Sequence, residues 1–513
     1  MSTAAADGPK TSVLVYNFVK PSDPADRQGG GVAIYQRNLM AALRKSGHRV
    51  ICLSSGDRYD LVRREPRLQF ERGGHETATV LNSPVFAPSH SNFYRIGTYA
   101  NDPGLDFVPA ALRRRYGNIE VFHFQNVEGL TAGFFRALRA EFPSSRIVVT
   151  AHNYNLVCPQ VNLWFREHRV CNDYRGGRAC VNCLPTPDRS SYEANIRRMR
   201  MLLEWVGVRR HGVAMTTLRT LLRSPFMLRR GLRRKPPAMA PQRQELVSPE
   251  RAAHYAGYRR ANVELASSVF DVVLAVSQRT RDVLVSHEVP AERIRVSYIG
   301  TAHQAAFRTA RRITDVGDGL HLCYLGYMRP DKGFYFWLET LERMPERISR
   351  RMSVTFAAPI RDGWAIERLR GQAHRYHAIH IYDGYTHANL KAILTGPNLG
   401  IVPVLWEDSL PQVALEMVTH GIPILTSDRG GAREIAGNDA FVFPAGNHRA
   451  LIRKLETIVD GGLPLSRFWD REPLMLSMDE HLAELHRHYG MASEPIAITG
   501  KRILEQRAGA MST

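Results

Sequence analysis

Short apolar runs of strand character alternate with helix-patterned segments along most of this 513-residue chain, and the alternation starts afresh beyond its midpoint. Apolar runs separated by amphipathic helices call for parallel strands with helices covering both faces of the sheet. The first series opens with Ser12–Phe18, rich in Val, and a polar loop ending in Gly29, Gly30 and Gly31. A helical pattern follows from about Val32 to Lys45, and Gly47-His48 leads into a second apolar run, Arg49–Leu53. Further strands are expected at Glu120–Phe124, Ile147–Thr150, Val269–Val276 and Ile294–Ile299, with a helix near Leu130–Phe142. The second series places strands at His321–Tyr327, Met352–Ala358, Ile379–Tyr382, Leu399–Val404 and Pro423–Leu425, and helices at Gly333–Met344 and Pro411–Thr419. The stretch Arg58–Arg115 is irregular and reads only as mixed.

A chain this long exceeds what one core supports, so two main domains are expected. The pattern gives an α/β fold of two doubly wound, Rossmann-like domains that face a cleft. Residues 1–300 form the first, with a Cys-rich insertion at about 158–183 and a basic insertion at about 193–245. Residues 301–470 form the second, with the boundary near Gly300–Asp318. Residues 471–490 are expected as a helix packing back on the first domain, and 491–513 as a tail. Open α/β sheets bind ligands beyond the carboxyl ends of their strands, which directs attention to the loops there.

Hydrophobic content of 44% and charged content of 23% are those of a globular protein, and no run approaches the roughly 18 apolar residues of a membrane span. The polar, Ala-rich segment 1–10 lacks a signal-peptide core, so a cytoplasmic location is expected, with a peripheral place on the inner face of the membrane as a variant of it. Net charge is +20. Arg197–Lys235 holds twelve Arg or Lys against the single acid Glu204, a net +11 from that segment alone. Such a stretch suits anionic partners, and its Leu and Met residues suit an anionic membrane surface equally with a solvated insertion. No nucleic-acid-binding motif accompanies the charge, so no nucleic acid is expected as a partner. Of six cysteines, Cys52 and Cys323 sit in strand-like runs. Cys158, Cys171, Cys180 and Cys183 are spaced x12, x8 and x2. In a reducing compartment that count suits either a structural Zn²⁺ or iron–sulfur centre, or reduced thiols packed in an insertion.

The segment Trp406-Glu-Asp-Ser-Leu-Pro-Gln-Val-Ala-Leu-Glu416 sets Asp408 and Glu416 eight residues apart across a strand-to-helix turn. A helix start offers unpaired N–H groups to an anion, here from Leu410, Gln412 and Val413, since Pro411 has none to give. The segment, with Gly421 through Glu434 behind it, resembles the acid-x7-acid signature of the retaining GT-B glycosyltransferases of family 4. The resemblance implies that Asp408 faces the transferred sugar while Glu416 holds the ribose of a nucleotide-sugar donor. Asp408 stands where the family usually has Glu, and the neighbouring Glu407 is an alternative.

Tyr324-Leu-Gly326-Tyr-Met-Arg329-Pro-Asp-Lys332-Gly333 resembles the family's phosphate-binding segment. Lys332 then meets the negative charge that builds on the departing diphosphate. Tyr327 occupies the usual Arg position, and Arg329 is expected to cover for it near Gly326. By the same likeness Gly30 and Gly31 admit the donor closely, and His152, just past a strand end, lies near the reacting sugar. His123 is a weaker counterpart. The family needs no metal for catalysis. The resemblance implies transfer of a sugar with retention to a glycan or lipid-linked acceptor, in surface polysaccharide or glycolipid synthesis. A catalytically silent binding subunit and a sugar-nucleotide epimerase share the architecture and stand as alternatives.

Overall fold

The computed structural model describes residues 10–23, 30–71, 76–184, 190–205, 247–301 and 304–491. The first sheet has eight strands: β1 (Ser12–Tyr16), β2 (Arg49–Arg58), β3 (Arg67–Phe70), β4 (Glu76–Leu81), β5 (Val121–Phe124), β6 (Arg146–Ala151), β9 (Val272–Ala275) and β10 (Ile294–Val296). Between β6 and β9 lies a separate hairpin of two-residue strands, β7 (Trp164–Phe165) and β8 (Arg169–Val170). The spatial order is β10-β9-β6-β5-β1-β2-β4-β3, parallel throughout except for the antiparallel edge pair β3–β4. Every residue of β1 is buried, as a central strand covered on both faces requires.

The second sheet contains β12 (Leu320–Leu325), β13 (Met352–Ala358), β14 (Ala378–Asp383), β15 (Leu399–Val402), β16 (Ile424–Ser427) and β17 (Val442–Phe443). It is wholly parallel in the order β14-β13-β12-β15-β16-β17. Counted within the sheet this is 3-2-1-4-5-6, the doubly wound dinucleotide-binding order, with its switch point between β12 and β15. In the first sheet the corresponding reversal lies at β1 and β5. Two residues of the connecting segment, β11 (Gly300–Thr301), pair with β18 (Leu476–Ser477) near the end of the described chain.

Seven helices carry the argument: α1 (Gly30–Lys45), α2 (Ser190–Trp205), α3 (Pro249–Ser268), α4 (Gln278–Ser286), α5 (Phe334–Glu342), α6 (Gln412–Thr419) and α7 (Met478–His488). Helix α1 begins two residues before the expected Val32, so Gly30 and Gly31 form its first turn. Its buried Ala33, Tyr35, Leu39, Met40 and Leu43 recur at helical spacing against the sheet. Strand β2 runs on to Arg58, five residues past the expected end at Leu53, and the irregular region beyond supplies β3 and β4. Helix α3 was not anticipated, although Ser248 caps it by accepting from the Arg251 N–H and Pro249 opens it. Of the basic insertion, residues 193–205 lie in α2; residues 206–246 fall outside the described residues.

Helix α7 packs on α1 and on the first sheet. His481 Nε2 meets the Tyr35 hydroxyl at 2.6 Å, His486 Nε2 meets His48 Nε2 at 3.1 Å, and the Tyr489 hydroxyl meets His123 Nδ1 at 2.7 Å. Among the described residues no helix is long and apolar enough to cross a membrane.

Candidate active site

The loops that leave β12 and β15 flank the switch point of the second sheet. They approach so closely that a Cβ on Gly333 would stand 1.7 Å from the Pro403 carbonyl oxygen, and Gly333 itself has φ +74°. Only glycine fits there. The close approach sets Lys332, from the first loop, against Asp408, from the second, with Nζ 2.6 Å from Oδ2. The ammonium also lies 4.8 Å from the centre of the Trp406 ring, a cation–π contact that helps hold it.

Asp408 and Glu407 divide their roles sharply. Glu407, 2% exposed, accepts both guanidinium nitrogens of Arg279 at 2.7–2.8 Å, another from Arg429 at 2.9 Å and the Gly430 N–H. Burial raises its carboxyl, but Arg279 and Arg429 outweigh that and hold it below the ordinary value. Glu407 therefore ties α4 of the first domain to the second, and it is Asp408 that meets Lys332. Arg329 is likewise engaged: Asp331 receives it in two bonds, at 2.9 and 2.6 Å. The expectation that Arg329 stands in for the missing arginine meets a guanidinium already neutralised by its own loop, while Tyr327 is 43% exposed beside it. Gly326 ends β12, its N–H donating to the Ala357 carbonyl.

Helix α6 starts directly behind Asp408. Pro411 takes the N-cap position, Leu410 is buried beneath it, and the N–H groups of Gln412 and Val413 belong to the first turn, where no intrahelical acceptor exists. The Gln412 side chain reaches across the cleft and donates to the Gly31 carbonyl at 2.8 Å. A Cβ on Gly31 would fall 2.5 Å from Gln412 Cδ, so this contact requires glycine. One turn on, Glu416 accepts a 2.8 Å bond from the Tyr385 hydroxyl in the loop after β14. Burial pushes the Glu416 carboxyl up to about 7, against the lowering effect of that bond.

The facing edge of the first sheet supplies neutral groups. His152 follows β6; its Nε2 lies 2.9 Å from Gln125 Oε1 and its ring 5.0 Å from that of Tyr35. Burial, with the neighbouring His481, pushes His152 down to about 3, so it is uncharged near neutral pH. His123 is fully buried, with Nδ1 on Tyr489 and Nε2 on Thr150 at 2.7 Å each, and both nitrogens are occupied in the core. Glu128, buried after β5, accepts from the Ser89 N–H and from Asn153, binding three edge loops together. The buried polar atoms Asn17 Nδ2, Gln125 Nε2 and Trp406 Nε1 have no partner among the described residues, and each belongs to the first turn or loop beyond a strand's carboxyl end. Buried donors of this kind are costly unless a ligand or water meets them. The sequence reading passed over Gln125, Asn17, Trp406 and Tyr385; the signal was their place directly after strands or in the loops between strand and helix.

Further contacts close the two edges together. Ser277 Oγ donates to the Ser409 carbonyl at 2.7 Å, the Glu434 carboxylate accepts the N–H groups of Gln278 and Arg279, and Tyr154 meets Trp406 edge-on at 6.5 Å. Away from this cleft, Cys158, Cys171, Cys180 and Cys183 line one small cavity as free thiols. Among the described residues no three His, Cys, Asp or Glu side chains are gathered so that they could hold a metal ion as they stand.

This pair of facing sheets is the GT-B fold of nucleotide-sugar glycosyltransferases. Residues 319–460 match the family Glycosyl transferases group 1, so the second sheet with its helices is a glycosyl transferases group 1 domain. Similar structures include an alpha,alpha-trehalose-phosphate synthase (UDP-forming) from Burkholderia xenovorans in complex with glucose-6-phosphate, at TM-score 0.52 and 14% identity over 94% of this chain and 100% of that one. A trehalose-6-phosphate protein from E. coli bound with UDP-2-fluoro glucose matches at TM-score 0.51 and 11% identity, covering 94% of this chain and 100% of that one. Sucrose-phosphate synthase from Thermosynechococcus elongatus matches at 0.50 and 14%, covering 98% and 100%. At such identities the likeness speaks for the fold alone. A search of curated proteins by sequence found no match.

Proposed function

We propose that this protein transfers a sugar, with retention, from a nucleotide-sugar donor to a glycan or lipid-linked acceptor. The observation that carries the reading is the Lys332–Asp408 pair at the switch point, directly before the first turn of α6. A donor diphosphate entering there meets Lys332, Arg329, the Gly326 backbone and the N–H groups of Gln412 and Val413. Lys332 turns from Asp408 to the phosphate, and Asp408 is released to accept a hydroxyl of the donor sugar. Glu416, held on one oxygen by Tyr385, offers the other to the ribose. Gly30, Gly31 and His152 close over the sugar from the first domain.

In the reaction the bond between the anomeric carbon and the diphosphate breaks, and a bond from that carbon to the acceptor oxygen forms on the same face. The acceptor's proton passes to an oxygen of the leaving diphosphate, so the chain supplies no separate base and no metal. The similar proteins named as UDP-forming or holding a UDP-sugar make UDP-hexoses the first donors to try. A place in surface polysaccharide or glycolipid synthesis, with the basic segment 197–235 at the inner face of a membrane, follows from the charge and from an acceptor of that class.

The test is transfer or slow hydrolysis with a panel of UDP-, GDP- and ADP-sugars, reading product anomeric configuration by proton NMR. Turnover with inverted product overturns retention; turnover unchanged in both Lys332→Ala and Glu416→Ala overturns the site. A second reading, a binding subunit without turnover, is favoured by Tyr327 in the arginine position and by Arg329 being bound to Asp331. It predicts that a nucleotide sugar raises the melting temperature while no donor is consumed.

A further inference from the structure

The four cysteines of the insertion take no part in the chemistry above, yet the chain is folded tightly around them. Cys158, Cys171, Cys180 and Cys183 line one small cavity of about 10 Å³, along with Trp164, Tyr174 and Arg259. Such a space suits one atom-sized guest and is too small for a multi-iron cluster. Backbone bonds fix the chain around the sulfurs: the Val161 N–H donates to the Cys158 carbonyl at 2.9 Å, Cys171 to Leu163 at 2.7 Å, Arg166 to Cys183 at 3.0 Å and Cys183 to Cys180 at 3.0 Å.

Arg259 is a second, independent sign. It is 5% exposed, its nitrogens meet the Val157 carbonyl at 3.0 Å and His287 at 3.1 Å, and it lies 3.6 Å over the Tyr174 ring. No carboxylate is among these contacts, and the guanidinium lines the same cavity as the four sulfurs. A buried cation needs negative charge beside it, and four neutral thiols supply none. The loop backbone is the third. Val161, Leu163, Arg166, Glu167 and Arg175 all have φ between +50° and +67°, a strained region for residues with a Cβ. The only regular structure offsetting that strain within the loop is the hairpin β7–β8 and short turns of helix around Arg175–Val181. Loops with so little core of their own are held by a cross-link.

We propose that Cys158, Cys171, Cys180 and Cys183 bind one Zn²⁺ as four thiolates. The sulfurs draw in from the cavity wall to about 2.3 Å from the ion, and four protons pass to solvent. No oxidation is involved. The centre carries two net negative charges, which Arg259 offsets in part. With all four positions filled it is a staple, and its effect on the cleft is mechanical. The stapled loop begins directly after His152 and Asn153 and carries Tyr154, whose ring abuts Trp406 beneath Lys332.

The test is metal analysis of the full-length protein, purified without chelator, together with Co²⁺ exchange into the same protein. About one zinc per chain is expected, and Co²⁺ should give the strong visible bands of a tetrahedral tetrathiolate. The double variant Cys180→Ser/Cys183→Ser should lose both. If that variant fails to fold, the wild-type zinc content and cobalt spectrum decide alone. Wild-type protein holding less than about a tenth of an equivalent of zinc and giving no cobalt bands overturns the proposal. So does iron in zinc's place, or zinc retained by the double variant.

Discussion

The two edges that face one another across the cleft are built on opposite electrostatic plans. On the second sheet the charged groups near the switch point, Glu416 excepted, are held by an opposite charge close by: Lys332 by Asp408, Arg329 by Asp331, Glu407 by Arg279 and Arg429. On the first sheet, Glu128 aside, the groups are neutral: His152 and Gln125 paired with each other, the Gly30–Gly31 backbone, and the Asn17 amide, whose oxygen accepts from Asn126. Paired charges keep the empty site from costing the fold much, and they can exchange partners when a dianionic ligand enters. Neutral groups suit a partner made of hydroxyls. The proposed site thus gives charge handling to one domain and hydroxyl handling to the other.

The largest effect should fall on the charged side. Lys332→Ala is expected to lower kcat/KM for the nucleotide sugar by about 10²–10³, the range seen when a preorganised electrostatic donor is removed. His152→Ala should cost about tenfold, as loss of a hydrogen bond to an uncharged sugar does. Arg329→Ala should fall between them, because Asp331 already neutralises it. Steady-state kinetics on the three variants rank the domains, and a deeper loss in His152→Ala than in Lys332→Ala would break the division of labour.

Acid and base sharpen the contrast, since burial acts in opposite directions on the two sides. Glu416, pushed up to about 7, carries a proton part of the time at neutral pH. If Glu416 holds the ribose as proposed, the diol needs the carboxylate, so nucleotide affinity should weaken by up to about tenfold per pH unit as pH falls below 7. Calorimetric titration should show that slope flattened in Glu416→Gln. For stability the sign reverses. A carboxyl raised above its ordinary value contributes most below that value, and the contribution is lost as pH rises through 7. His152 and His481, pushed down by burial to about 3 and about 4, contribute stability above their ordinary 6.5 that is lost as pH falls from there toward 4. His481 alone represents a few kcal/mol at most, about 2.5 pH units of proton linkage. Melting curves between pH 7 and 5 should drop, and they should drop less in His481→Gln, although that variant starts lower.

Legibility from sequence follows the same line. The alternation and the 408–416 spacing could be read because they are local: adjacent residues set a strand end, a turn and a helix start. Lys332 and Asp408 are therefore legible as candidates in the sequence alone, and the fold sets them 2.6 Å apart. What could not be read depends on chain returning from elsewhere. Glu407 and Asp408 look interchangeable in sequence, and Arg279, 128 residues away, together with Arg429 takes the first out of the site. Arg329 is the local exception: Asp331, two residues on, binds its guanidinium. His123 resembled His152 until Tyr489, at the other end of the chain, was found on its second nitrogen. Helix α3 is a different kind of miss, since Ser248-Pro249-Glu250 announces it locally.

The smallest effect expected tests whether the two plans are mechanically joined. Gln412 is the side chain of the charged domain that bonds the glycine backbone of the neutral one. Gln412→Ala removes a single neutral hydrogen bond, worth about 1 kcal/mol, or roughly fivefold in KM. Gly31→Ala puts a methyl group 2.5 Å from the Gln412 side chain, which must swing away, so the two substitutions strike one contact. In the double variant the losses should then fall short of their sum by about 0.5–1 kcal/mol in a double-mutant cycle on kcat/KM. Full additivity would mean that the contact seen across the cleft has no part in the closed state from which transfer proceeds.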